Sequence, residues 1–340
     1  MNIDRSSVKR ILVLKLRAIG DVLLSTIVLR NIRIAFPDAR IEFLTEPPAI
    51  PVAKIQPDVD EVVVFNTQTT SGWGLIRDIR SRGYDLIFDL FGNPRSALVT
   101  RLSEAKYRVG YRFRGRAYAY NILTEPRGAT VHNTQFNLDA LEAAGIAIQD
   151  RSIYFPLALE DEAYVESFLK SERITLPLIA LGTSGSWYTK RWSLERFAAL
   201  GETLGKFKAR ILLIWGPGER PDVDKVNALM GRTAIIPPPT TLTQLGALLK
   251  RCAFMVANDS GPMHICAAVG TPVLGIFGPT NPALQGPYGQ KHMVVRNEGL
   301  GCLGCNLTSC PIGHPCMHDL SVDMVFEAVK KLMRKNDITL

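Results

Sequence analysis

At 340 residues the chain exceeds the length at which a single hydrophobic core keeps growing, which argues for two domains. Its 46% hydrophobic and 21% charged residues suit a globular enzyme and exclude a disordered chain, and no apolar run reaches the roughly 18 residues of a membrane helix. A formal charge of +8 points to an acidic partner, and the first apolar segment is interrupted by Lys15, Arg17 and Asp21, unlike a secretory leader, so a soluble cytoplasmic protein is expected.

Apolar runs alternate with amphipathic stretches from end to end, the pattern of parallel sheets covered by helices, so the fold class is read as α/β. Strands are predicted at Arg10 to Leu16, Ile41 to Thr45, Glu61 to Phe65, Asp85 to Leu90 and Tyr107 to Gly110. The clearest helix runs from Asp21 to Phe36 and is stopped by Pro37. Arg101, Lys106, Arg108, Arg112, Arg114 and Arg116 then crowd one segment with only Glu104 against them and Tyr107, Tyr111 and Phe113 between them. No RNA-binding or helix-turn-helix signature accompanies this patch, so nucleic acid is set aside. What remains is a solvated arginine-rich loop or a surface for an anionic sugar or lipid headgroup.

A second unit opens after Phe155-Pro156 with a helix near Asp161 to Ser171. Its strands are predicted at Leu178 to Leu181, Arg210 to Trp215, Ala234 to Ile236, Phe254 to Ala257 and Val273 to Phe277. Pro237-Pro238-Pro239 marks a loop before a helix starting near Thr241, and Val322 to Met333 closes the chain as a helix. The expected spans are 1–152, 153–320 and a closing helical segment at 321–340.

Four turns carry candidate chemistry. Ala253 to Ala257 runs as an apolar strand into Asn258-Asp259-Ser260-Gly261-Pro262-Met263-His264, where a helix start offers unpaired N–H groups to phosphate oxygens. Asp and Ser are equally good helix caps there, and His264 equally suits a buried backbone partner. Gly182 to Trp192 brings Thr183, Ser184 and Lys190 to the end of another strand, able to hydrogen-bond and neutralise a leaving diphosphate, although an isolated lysine is more often solvated. In Trp215-Gly216-Pro217-Gly218-Glu219, Glu219 either grips a ribose or caps the next helix. Finally, Gly20 and Asp21 stand where the first strand meets its helix, and Asp21 reads as a general base for an attacking hydroxyl or as a first-turn carboxylate.

Together these turns resemble the ADP-heptose:lipopolysaccharide heptosyltransferases, glycosyltransferase family 9. The resemblance spans nearly the whole chain through Lys15 to Leu23, Lys190-Arg191-Trp192, Asn258 to His264, Gly270-Thr271-Pro272 and Phe277 to Pro282. It implies a GT-B architecture of two facing Rossmann-like doubly wound domains with a central cleft, the acceptor on the first domain, the ADP-sugar on the second and the last helix packed back towards the first. It implies Asp21 as catalytic base of an inverting single displacement, Lys190 on the donor phosphates, and Asp259, Ser260, Gly261 and His264 as the donor loop. Gly20, Thr183, Ser184 and Glu219 complete the expected donor site, and Arg108, Arg112, Arg114 and Arg116 are expected to meet a lipopolysaccharide core or other anionic glycan beside the inner membrane.

The resemblance implies no cofactor for catalysis. Asp58 with Asp60, and Asp222 with Asp224, are read as surface features, the second pair opening a helix. Cys302-x2-Cys305-x4-Cys310-x5-Cys316 suits a structural zinc or iron, with free thiols and disulfides as alternatives, while Cys252 and Cys266 read as core. Pro262-Met263 and the cysteine segment depart from the best-known first-heptose enzymes, which leaves the subfamily open. A different nucleotide-sugar donor, a protein acceptor, or a non-catalytic nucleotide-sugar binder are the competing readings.

Overall fold

The computed structural model describes residues 3–339 and divides them between Phe155 and Pro156, against the expected 152/153. Met1, Asn2 and Leu340, the ends of the expected spans, lie outside the described residues.

In the first unit, strands β1 Arg10–Leu14, β2 Arg40–Thr45, β3 Glu61–Val64, β4 Leu86–Asp89, β5 Tyr107–Tyr111 and β6 Ile122–Thr124 form one parallel sheet in the order β3-β2-β1-β4-β5-β6. Helices α1 Ile19–Ser25, α2 Ile27–Ala35, α3 Ile50–Lys54, α4 Gly72–Ser81, α5 Pro94–Leu102 and α6 Asn133–Ala143 connect them. β1 and β4 are buried along almost their whole length, as strands covered on both faces must be. Leu14 lies opposite both Leu44 and Asp89, so the strand order reverses beside the carboxyl end of β1. In open α/β sheets that reversal opens the crevice where ligands bind.

The second unit repeats the plan. Its parallel strands β7 Leu178–Gly182, β8 Arg210–Ile214, β9 Cys252–Asn258, β10 Val273–Ile276 and β11 Met293–Val295 run in the order β11-β10-β9-β7-β8. Around them stand α7 Leu159–Ser171, α8 Leu194–Gly205, α9 Arg220–Leu229, α10 Leu242–Lys250, α11 Gly261–Ala268, α12 Pro282–Gln285, α13 Pro315–His318 and α14 Val322–Lys335. Here the reversal falls between β7 and β9, where Gly182 faces Ala257. A Cβ on Gly182 would sit 2.5 Å from the Met255 methyl, so only glycine lets the two strand ends close up where the candidate turn begins.

The α/β class and the main strands are as expected, with informative differences. The helix expected over Asp21 to Phe36 breaks at Thr26, because the Ser25 and Thr26 hydroxyls bond back to the carbonyls of Val22 and Leu23 and compete with the helical ladder. The strand expected at Ala234 to Ile236 shrinks to one bridge between Ile235 and Leu212, since the prolines that follow cannot extend a ladder. Asp58, expected on the surface, is 5% exposed and pairs with Arg30 at 3.1 Å, while Asp60 accepts from Arg33 and the Ile41 N–H. The closing helix buries Val325, Ala328, Val329 and Leu332 in the second unit's core, packed against α8, β10 and β11.

Candidate functional site

In the second unit the carboxyl ends of β7 and β9 are sewn together by Asn258. Its amide donates to the Thr183 carbonyl at 2.8 Å and its carbonyl accepts from the Trp192 N–H at 3.1 Å. The two turns on either side therefore keep a fixed relation, and Thr183, Ser184, Lys190, Asp259 and His264 come together, all buried. The Lys190 ammonium lies 2.7 Å from an Asp259 oxygen and 4.4 Å from the centre of the Trp187 ring. The same Asp259 oxygen accepts from the Thr280 hydroxyl at 2.8 Å.

Ser260 caps α11 without using its side chain, and its hydroxyl is buried with no hydrogen-bond partner among the described residues. Gly261 opens that helix, so its first N–H groups face the same turn as the lysine. A buried cation, a helix N-terminus and unspent hydroxyl groups make a cradle for oxyanions. His264 is buried in the first half of α11, near the ring of His292. Burial, with Lys335 and Lys291 nearby, pushes His292 down to about 4, so its ring is neutral at physiological pH.

Glu219 stands at the N-cap position of α9 without a side-chain cap bond. Its carboxylate accepts from the Gly216 N–H at 2.7 Å and closes its own turn. Asn258 and Thr280 are the residues sequence reasoning left without a role. Their signal was position, an amide ending an otherwise apolar strand and a hydroxyl closing the next strand's loop.

In the first unit, Asp21 occupies the first turn of α1, half-buried, and accepts from the Ala18 N–H at 3.3 Å, while Gly20 is buried beside it. Lys15, one residue past β1, donates to the Leu90 carbonyl at 2.9 Å with its ammonium 6.0 Å from the Phe91 ring. Burial holds the Lys15 ammonium below its ordinary value, opposed by the charges of Asp21 and Asp89. Asp89 is fully buried, and burial raises its carboxyl despite bonds from the Gly92 and Phe91 N–H groups and from Tyr120, whose hydroxyl lies at 2.7 Å. No sequence reading singled out Lys15, Asp89 and Tyr120 for a role; Asp89 ends β4 and heads the turn to Gly92, whose N–H it accepts.

The four arginines expected at an acceptor, Arg108, Arg112, Arg114 and Arg116, are differently placed from one another. Arg108 gives its guanidinium to the carbonyls of Ala105 and Ala119, Arg112 pairs with Glu125, and Arg116 bonds the Gly92 carbonyl and lies 4.6 Å from the centre of the Phe113 ring. Arg114 is exposed and has no such bond among the described residues.

The four clustered cysteines are free, with Cys302 and Cys305 exposed and Cys316 buried. Burial, then the neighbouring Cys302, Cys305 and Cys310, pushes the Cys316 thiol up. Among the described residues no group of three or more His, Cys, Asp or Glu side chains is already gathered around a point that would hold an ion. The segment is tied by hydrogen bonds to the loop after β10 and to the turn that holds Lys190. The N–H groups of Gly304 and Asn306 reach the carbonyls of Gly278 and Pro279, and the Thr189 hydroxyl reaches the Leu307 carbonyl at 2.9 Å.

No helix among the described residues is long and apolar enough to cross a membrane. The chain is 25% identical over 289 residues to lipopolysaccharide heptosyltransferase 3 of Escherichia coli, covering 79% of this chain and 83% of that protein. Among solved structures it is similar to a family 9 glycosyl transferase of Veillonella parvula (TM-score 0.84, 24% identity, 96% of this chain and 97% of that one). It is also similar to E. coli ADP-heptose LPS heptosyltransferase II (TM-score 0.76, 20% identity, 97% and 100%). Since residues 73–314, most of the chain and all the turns described in the second unit, match the family model for glycosyltransferase family 9 (heptosyltransferase), the protein belongs to that family and is a glycosyltransferase.

Proposed function

We propose that the chain transfers a heptose from ADP-heptose to the inner core of lipopolysaccharide, by a single displacement that inverts the anomeric centre. The reading rests above all on the cradle around Lys190, where a buried ammonium held by Asp259 stands with the unpartnered Ser260 hydroxyl at the start of α11. Those groups suit a diphosphate that gains charge as it departs. The names of the relatives, which pair ADP-heptose with lipopolysaccharide, support donor and acceptor class.

In this mechanism Asp21 takes the proton from an acceptor hydroxyl as its oxygen attacks the anomeric carbon. The bond from that carbon to the diphosphate oxygen breaks, and ADP leaves with its new charge facing Lys190 and the α11 N–H groups. Thr183, Ser184, Asp259, Gly261 and His264 shape the donor turn, and Gly20 keeps the backbone beside Asp21 free of a side chain. No metal enters a step. A lipid-borne acceptor implies work at the cytoplasmic face of the inner membrane, with peripheral contact.

The test is ADP-heptose titration followed by turnover on truncated core acceptors. Asp21→Ala is expected to lose roughly 10²–10⁴-fold in kcat, the usual worth of a positioned base, while binding ADP as the parent does. Transfer at the native rate by that variant would falsify the role given to Asp21.

A further inference from the structure

In the first unit the crossovers run in two directions. Those through α1, α2 and α3 step towards β3, while those through α4, α5 and the connector from β5 to β6 step towards β6, so right-handed connections put the two groups on opposite faces of the sheet. The packing agrees: α6 meets α1 and α2 on one side, and α5 meets α4 and the 3-10 turn Ala117–Ala119 on the other. On that second side Leu75, Ile76 and Ile79 of α4 and Val99 of α5 enter the core, which leaves Trp73 and Arg77 of α4 and Leu98 and Arg101 of α5 outside it. Arg114 and Tyr118 of the connector are exposed as well.

Trp73 and Tyr118 are 71% and 60% exposed, the two most exposed large apolar side chains among the described residues of this unit, and Leu98 is exposed on the helix between their elements. Rings with a polar N–H or O–H at one end suit a membrane–water boundary, where they lie at headgroup depth. The charges around them are one-sided. Arg77, Arg101 and Arg114 have no hydrogen bond or ion pair among the described residues, whereas the carboxylates beside them, Asp78 and Glu104, are already paired with Arg82 and Arg80. Neither α5 nor residues 112–121 contain a carboxylate. The opposite side is balanced instead, with Arg30 and Arg33 of α2 paired to Asp58 and Asp60, and Asp139 of α6 paired to Arg127. A second copy of the chain seated on this surface would set its arginines against one another with no free carboxylate to receive them. An anionic bilayer meets both demands, phosphate for the guanidinium groups and a headgroup layer for the rings.

We infer that the α4–α5 side of the first unit, with the β5–β6 connector, docks on a membrane surface rich in anionic phospholipid. Trp73 and Tyr118 enter the headgroup layer, and Arg77, Arg101 and Arg114 pair with lipid phosphates. The assignment deepens the transferase reading and rests on it only for the reason to dock, a lipid-borne acceptor. It also divides the basic run around β5: Arg108 and Arg116 serve the fold, and Arg114 serves the bilayer.

The full chain is sedimented with vesicles of phosphatidylethanolamine and phosphatidylglycerol, and with vesicles of phosphatidylcholine alone, while tryptophan emission is followed. The anionic vesicles are expected to bind at least about tenfold more tightly than the neutral ones, and less tightly as salt rises. Emission is expected to shift to shorter wavelength and to be quenched by lipid brominated near the headgroup. Trp73→Ser loses both effects, because Trp187, Trp192 and Trp215 belong to the second unit. Arg77→Gln, Arg101→Gln and Arg114→Gln are each expected to weaken anionic-vesicle binding about fivefold, and together about a hundredfold. Arg77→Lys, which keeps the charge, binds like the parent, and so does Lys54→Gln, exposed on α3 across the sheet. Equal binding of both vesicle types, unshifted emission, unchanged affinity in the triple variant, or a dimer that Trp73→Ser dissolves overturns the assignment. Vesicle docking by a chain that transfers no sugar to a core acceptor leaves the surface standing and defeats the transferase reading instead.

Discussion

At the scale of single residues, the histidine held furthest from its ordinary value is His292, which lies outside every motif the sequence presented. It is 9% exposed, and its Nδ1 is buried without a hydrogen-bond partner among the described residues. Its folded value of about 4 lies below the ordinary 6.5, so the fold favours the neutral ring. That contribution is whole above pH 6.5 and is lost progressively as the pH falls towards 4, amounting to about 3 kcal/mol when fully lost. Urea unfolding midpoints measured at pH 7 and pH 4.5 are expected to drop further in the parent chain than in His292→Gln; equal drops would assign the acid sensitivity to carboxylates instead. Other residues were more legible. Lys190 and Asp259 could be picked out as polar groups in turns that follow apolar strands, and the structure pairs them at 2.7 Å. The bonds of Arg108 and Arg116 were not legible, because a basic run does not say which guanidinium groups will find carbonyl oxygens once the chain folds.

At the scale of elements, the strands of both sheet centres could be read from composition alone, since four or five consecutive buried aliphatic residues leave little else to form. The short edge strands β6 and β11 could not, because three residues give no periodicity and their pairing is decided by the neighbour. The break between α1 and α2 was hidden for another reason: hydroxyl back-bonding leaves the apolar spacing intact. One close approach between elements is testable. A Cβ on Gly110 of β5 would lie 2.4 Å from the Tyr120 ring, whose hydroxyl bonds buried Asp89. Gly110→Ala must move that ring, and it is expected to cost roughly 1–3 kcal/mol in stability, the range for overpacked cores. Thermal denaturation of Gly110→Ala beside Tyr120→Phe checks it. A Gly110→Ala chain as stable as the parent would mean that the backbone yields without disturbing Asp89.

For the molecule as a whole, each unit carries its own sheet and its own buried core, one around Leu12, Phe65 and Ile87, the other around Leu181, Trp192 and Val256. The division into two doubly wound halves was legible because the strand-helix alternation restarts after Phe155-Pro156. The destination of α14 was not, since an amphipathic stripe states that a helix packs and not against what. If the donor belongs to the second unit, ADP at a hundred times its Kd adds about 2.7 kcal/mol to the folded state. Hydrogen exchange should then slow at Gly182 to Lys190 and Asn258 to His264 and stay unchanged through β1 to β6. Protection confined to the first unit would reverse the assignment of the two halves.

The backbone bonds from Gly304 and Asn306 to Gly278 and Pro279 carry a practical corollary. Cys302 and Cys305 stand exposed on that strap, whereas Cys252 and Cys266 are sealed in the interior, so a maleimide dye would attach to the strap and spare the core. A fluorophore there would ride on the strap bonded to the backbone just before Thr280, and a change in its emission on adding ADP is the expected sign of nucleotide binding, read without a label on the nucleotide.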